Sequence, residues 1–211
     1  MSTDRPGLRE RNKRRTRLEI SNVATRMFIE RGFDEVTIAE VAAEAGVAKM
    51  TVTNHFPRKE DLVLDLHEEL VTSPARAVAE RTAGESALVA LRRAYFDALA
   101  RRDAAAGFSR PEFARMLTGS PALLARLREV DEQRENALAE TLAAETGVGP
   151  DDIVVRTAAA QLTAVGRVLF HEALRQTLAG ADRDEIAASL ATAAGRAFSL
   201  LEPSLGGYAE R

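Results

Sequence analysis

Residues 37–56 read TIAEVAAEAGVAKMTVTNHF, and the organisation of the chain can be worked out from them. Thr37-Ile38-Ala39-Glu40 is a capping box, in which a threonine hydroxyl and a glutamate carboxylate three residues later each take a backbone N–H left unpaired at a helix N-terminus. Val36 and Val41 stand where a hydrophobic staple closes the entry to such a helix. A short helix running to about Ala45 is expected, then a tight turn at Gly46-Val47, then a second short helix over Ala48–His55. Phe56-Pro57 stops it, because a proline ring disfavours helical geometry in the residue before it.

Upstream, Ile20, Val23, Ala24, Met27 and Phe28 repeat with the helical period and form one apolar stripe on a helix from about Lys13 to Arg31, closed by Gly32. Two short helices joined by a glycine turn, after a longer helix, make a helix-turn-helix candidate. The second helix would enter a DNA major groove while the first crosses the backbone, and Ala42 supplies the small residue their crossing requires. A plain αα-hairpin has the same outline. Downstream the helices lengthen. A fourth is expected from Arg58, with Leu62, Leu66 and Leu70 on one face and a kink or restart at Ser73-Pro74. Others are expected over Gly84–Arg102, Pro111–Leu117, Pro121–Glu145, Asp151–Leu178 and Asp184–Leu201. No stretch alternates with period two. The expected fold is all-α, with a helix-turn-helix DNA-binding domain over 1–59 and a larger helical ligand-binding and dimerisation domain over 60–211.

Across its 211 residues the chain is 45% hydrophobic and 29% charged, the composition of a globular protein. The net charge of -3 conceals an asymmetry: residues 1–59 hold 12 basic and 8 acidic groups, the rest 17 and 24. Arg5, Arg9, Arg11, Lys13, Arg14, Arg15 and Arg17 form a basic arm opposed only by Asp4 and Glu10. A duplex would attract the first segment and repel the second. The absence of cysteine excludes disulfides, thiol nucleophiles and Cys-ligated metals. No continuous apolar run approaches the ~20 residues of a membrane span, and the basic N-terminus lacks a signal peptide's apolar segment, so a cytoplasmic address is expected. His55, His67 and His171 have no metal-ligand spacing, and no nucleophile elbow or phosphate-binding glycine loop occurs. The expectation is a non-enzyme without cofactor or metal.

The stretch from Phe28 to Ile38, then Val41-Ala42-Ala43-Glu44-Ala45-Gly46-Val47, then Asn54-His55-Phe56-Pro57-Arg58-Lys59-Glu60-Asp61-Leu62, closely resembles the N-terminal domain of TetR-type bacterial transcription regulators. The resemblance spans about residues 13–65. It implies a homodimer whose paired heads bind a palindromic operator and whose C-terminal domain dimerises and takes a small effector. Lys49, Met50, Thr53 and Asn54 are the base-reading candidates: a lysine suits guanine, a methionine a thymine methyl, an asparagine adenine. Thr37 and Lys59, each expected at a helix N-terminus, are phosphate candidates, with a structural cap and a surface ion pair as their alternatives. The resemblance adds Thr51 and His55 to the phosphate set, with local capping or packing as the alternative. Two positions depart from the family's pattern. Ala48 replaces a common serine N-cap, and Thr53 replaces a common phosphate-binding tyrosine and reaches less far.

In the larger domain, Ala158, Ala159, Leu162, Val165, Gly166 and Leu169, with Leu190, Ala194, Ala197 and Leu201, form small-residue faces suited to an intermolecular four-helix bundle or to packing within one chain. Tyr95, Phe96, Phe108, Phe113, Met116, Leu127 and Phe170 are candidates to line an apolar pocket, with Arg134, Arg167 and His171 as polar fixing points. Arg167 and His171, four apart, suit either an anionic group or surface pairs with Glu172 and Arg175. Two other functional readings remain open: a helical binding or scaffold protein with a non-functional helix-turn-helix, and an enzyme using the C-terminal pocket.

Overall fold

A computed structural model describes residues 8–210 of the chain, with side chains from residue 11. Arg5 and the Arg9 side chain, both part of the basic arm, lie outside the described residues. Within them the protein is all-α. Its helices are α1 (Leu8–Arg31), α2 (Ile38–Glu44), α3 (Lys49–His55), α4 (His67–Ala79), α5 (Ala87–Ala100), α6 (Pro111–Gly119), α7 (Pro121–Thr146), α8 (Ile153–Leu178) and α9 (Arg183–Leu205), with 3-10 turns at Glu60–Leu62 and Ala104–Ala106.

Two compact units form. The head contains the residues up to His67 together with Met116–Leu124; the body contains Glu68–Arg115 together with Ala125–Arg211. The head runs past residue 59 because the next segment is pinned to it. Leu62, Val63 and Leu64 are buried, and the Leu62 carbonyl accepts a hydrogen bond from buried Ser21 Oγ on α1 at 3.1 Å.

The head packs along the α1 stripe. Ile20, Ala24, Met27 and Phe28 are buried, as are Val36, Val41, Val52 and Phe56, and Phe33 meets Phe28 edge-on at 5.0 Å. Between α2 and α3 the turn is a Schellman motif. Gly46 adopts the left-handed φ of +66°, its N–H bonds to the Ala43 carbonyl, and the Val47 N–H bonds to the Ala42 carbonyl.

The expected fourth helix does not start at Arg58. A single 3-10 turn occupies Glu60–Leu62, and α4 begins at His67. Pro74 neither ends nor restarts it but lies buried inside it. A proline removes the N–H that would bond the carbonyl four residues back. Here Ser73 Oγ, at 3.4 Å, donates to that Leu70 carbonyl instead.

The body core combines Leu88, Leu91 and Leu99 of α5, Leu138 and Leu142 of α7, the inner face of α8, and Ile186, Leu190, Ala194 and Phe198 of α9. Asp152 caps α8, accepting from the Val154 and Val155 N–H groups, and Asp182 forms a capping box with Glu185 on α9. Among the described residues α8 alone is long and apolar enough to cross a membrane by length and composition. Its valines, leucines and alanines, interrupted by Arg156, Gln161 and Arg167, give it that character, and nine of its side chains are buried in the protein.

The small-residue faces of α8 and α9 are used within the protomer. Ala158, Ala159, Leu162, Val165, Leu169, Leu190 and Ala194 are buried in the core, Ala197 and Leu201 pack against it, and the Arg134 side chain lies over Gly166. The seven buried side chains pack within their own chain, and Gly166, Ala197 and Leu201 are half-buried. The large apolar side chains these helices leave exposed are different ones: Ile153, Val154, Val168 and Leu178 on α8 and Leu200 on α9.

Candidate nucleic-acid interface

The entry to α2 is built as its sequence indicates. Thr37 N–H and Oγ1 each lie 2.8 Å from Glu40 Oε2, and the Glu40 N–H returns a bond to Thr37 Oγ1 at 3.3 Å. Arg31 of α1 adds a 2.6 Å ion pair to the same carboxylate. These bonds, led by that from Arg31, lower the Glu40 pKa to about 2. Because the folded pKa is depressed, the associated stability is present above the ordinary carboxylate range and is lost as pH falls toward 2. Arg26 pairs with Glu44 at 2.7 Å, so two surface bridges join α1 to α2.

On α3, Val52 is fully buried and Phe56 just beyond it nearly so, which turns the opposite side outward. Lys49, Met50 and Asn54 are exposed there, Met50 at 69%. Thr51 and Thr53 are half-buried at the margins. Thr53 Oγ1 donates back to the Met50 carbonyl at 3.2 Å, so its hydroxyl is held along the helix. Ala48 has the extended N-cap geometry, φ −68° and ψ 145°, but no side-chain cap. Ala48→Ser places an acceptor where that geometry can use it and is expected to stabilise the head by about 1 kcal/mol. Thermal denaturation of the two proteins checks this, and an unchanged or lower midpoint would refute it.

Two of the candidate phosphate ligands are placed differently from their sequence rationale. Lys59 precedes a three-residue 3-10 turn, too short to provide a helix dipole. Its ammonium instead lies 4.5 Å from the centre of the Phe33 ring and donates to the Asp34 carbonyl at 3.4 Å. His55 Nδ1 is buried without a partner, and its pKa is lowered by burial first and then by Arg17 and Lys13, which favours the neutral ring.

Arg17 leaves the arm altogether. Its guanidinium lies 4.3 Å from the Phe56 ring centre, Nη1 donates to the His55 carbonyl, and Nη2 donates to the Asp65 carbonyl at 3.2 Å. The sequence carries a signal for this: Arg17 is three, four and seven residues before Ile20, Ser21 and Ala24, on the buried side of α1.

All the effector candidates but one fall in the body unit. Met116 belongs to the head unit, while the others named with it that lie on α5, α8 and the loops between belong to the body. Phe108 and Leu127 are buried; Phe96, Phe113 and Phe170 are half-buried. Tyr95 packs 6.2 Å from Phe198, and burial raises its phenol pKa to about 12. Arg134 pairs with Asp131 at 3.3 Å and has its pKa lowered chiefly by desolvation. Tyr95 Oη, Ser109 Oγ and Arg134 Nε are buried without hydrogen-bond partners. Arg167 and His171 are exposed, and the neighbouring Glu172 is bound by Arg175 and Gln176 instead. Ser109 escaped sequence reasoning because an isolated serine carries no pattern. No group of three or more metal-ligating side chains occurs among the described residues.

Residues 20–66 match the family described as bacterial regulatory proteins, tetR family, and residues 85–206 match the MftR C-terminal domain. The HTH-type transcriptional regulator TcmR of Streptomyces glaucescens is 33% identical over 173 residues, which cover 79% of this chain and 76% of that protein. NalD of Pseudomonas aeruginosa, the secondary repressor of the MexAB-OprM multidrug efflux pump, has a TM-score of 0.54 at 20% identity, over 87% of this chain and 97% of its own. AlkX, a TetR family repressor from a Dietzia strain, has a TM-score of 0.51 at 20% identity, over 92% and 96%. The two structures agree in fold and TcmR in sequence: the chain belongs to the TetR family and is a transcriptional regulator of it.

Proposed function

We propose that the protein is a cytoplasmic, homodimeric repressor that binds a palindromic duplex operator through α2 and α3 and releases it when a mainly apolar small molecule occupies the body. The observation that carries this reading is the division of α3: Lys49, Met50 and Asn54 face solvent while Val52 and Phe56 anchor the other side. Base edges are read by Lys49, Met50 and Asn54, with Thr53 at the margin. Thr37, Thr51 and Lys59 approach the phosphates, and His55 joins them as a neutral donor. The dimer forms through α8 and α9, whose outward Val154, Val168 and Leu200 suit a self-complementary contact. The effector reading is supported by the apolar body and by the unpartnered polar atoms of Tyr95, Ser109 and Arg134, each able to fix one polar group. An effector that binds one conformer better needs a coupling of only about 1–3 kcal/mol to act as a switch.

The test uses a duplex selected by the full-length chain from a random-sequence pool, with an unselected duplex of equal length as reference. The expected result is preference for the selected duplex and a steep fall in affinity with salt. Equal affinity for both, or no salt dependence, overturns the reading. Lys49→Ala is expected to change which duplex is selected, whereas Lys59→Ala weakens selected and unselected duplexes alike and lowers the salt slope by about one. Identical losses for the two variants would refute that division. Light scattering showing a monomer at micromolar concentration would remove the dimer.

A further inference from the structure

We infer that Arg17 is a positioning residue for the recognition helix, acting through the protein and not as part of the basic arm. The inference rests on the DNA-binding reading of α3. With seven residues, α3 is too short to hold itself together in isolation. Its last carbonyls have no partner within the helix, and its direction depends on what touches its C-terminal end.

Arg17 is what touches that end. From α1 its guanidinium donates to the His55 carbonyl at the last residue of α3, donates to the Asp65 carbonyl after the 3-10 turn, and covers the Phe56 ring at 4.3 Å. Segments 38 and 48 residues away are thus joined by one planar group. A guanidinium can do this because its donors are fixed in a fork and its face stacks on an aromatic ring. An ammonium, a single point charge on a flexible stem, cannot satisfy both carbonyls while stacking. Phe56 is fixed by burial, so Arg17 ties the C-terminal end of α3 to the apolar stripe of α1. Hydrogen bonds to bases tolerate displacements of only about 0.5 Å, so loosening this end costs base reading, while attraction to phosphates persists.

The test compares Arg17→Lys, Arg17→Met and the exposed-charge control Lys13→Ala in the full-length chain. Each is titrated with the selected and unselected duplexes over a salt series. Both Arg17 variants are expected to lose about tenfold or more on the selected duplex and less than about twofold on the unselected one. Arg17→Lys should also keep the salt slope, whereas Lys13→Ala should weaken both duplexes and lower it. Full affinity in Arg17→Lys, with Arg17→Met losing equally on both duplexes, would show a phosphate contact and overturn the inference.

Amide hydrogen exchange of the free protein separates positioning from general stability. Protection should fall at Val52–Phe56 and persist at Ala24–Phe28, and a uniform fall, or no fall at Val52–Phe56, overturns the inference. If the unmodified chain selects no duplex, the DNA-binding reading fails and positioning for base reading fails with it. A retained selection with unaffected Arg17 variants refutes the positioning role alone.

Discussion

Replacing Arg81 by alanine is expected to destabilise the body by about 3–5 kcal/mol, the range for removing one partner of a buried ion pair. The side chain is 1% exposed and uses its guanidinium in every direction. Nε donates to the Glu85 carbonyl at 2.8 Å, Nη1 to the Val78 carbonyl at 2.6 Å, and Nη2 to the Ala209 carbonyl at 2.6 Å, while both terminal nitrogens reach Glu145. The end of α4, the loop before α5, the end of α7 and the chain beyond α9 therefore meet on one group. Its loss strands the Glu85 and Ala209 carbonyls and a carboxylate, while the Val78 carbonyl keeps the backbone N–H of residue 81 at 3.3 Å, and Glu145 at 23% exposure can recover some hydration, which holds the expected cost toward the lower end. Urea denaturation measures it. Arg81→Lys should recover little, since one ammonium cannot reach all four acceptors. A loss below about 1 kcal/mol in Arg81→Ala would show that these contacts are replaced by water.

Gly107→Ala should cost about 2–4 kcal/mol through a different mechanism. Gly107 has φ +92°, and an added Cβ would stand 2.6 Å from Ala173 Cβ and 2.9 Å from the Phe170 carbonyl oxygen. The left-handed conformation alone costs a residue with a side chain about 1–2 kcal/mol, and overpacking against the backbone of α8 accounts for the rest. Gly46→Ala isolates the first part, because Gly46 has φ +66° but nothing within 4 Å of the added atom. If the two substitutions prove equally costly by denaturation, the close approach of the Ala104–Ala106 turn to α8 does not matter to stability.

These positions show what can be read along a chain. The capping box at Thr37–Glu40, the turn at Gly46 and the missing cap at Ala48 were legible because each depends on residues within one helical turn. The outward set on α3 was legible because Val52 and Phe56 identify the inward side. The Lys59 expectation failed at its helix: the segment after Arg58 buries Leu62, Val63 and Leu64 as one turn, and only at His67 does a long helix begin. Small-residue faces on α8 and α9 were visible, but alanines allow close approach to any helix and do not specify whose. Arg81 carries no periodic signal, since its role comes from partners scattered over distant segments, and Ser109 is an isolated serine whose Oγ is buried without a partner.

The all-α class, the helix-turn-helix and the family are readable from the residues alone, because helical period, caps and turns are short-range and a contiguous motif spans the head. Folding in three dimensions is what brings Arg17 to the end of α3, buries most of the small residues of α8 and α9 in the body core, and joins four segments at Arg81. A charged or small residue presents the same chemistry whether it meets solvent, phosphate or a distant carbonyl, and only folding brings that neighbour to it.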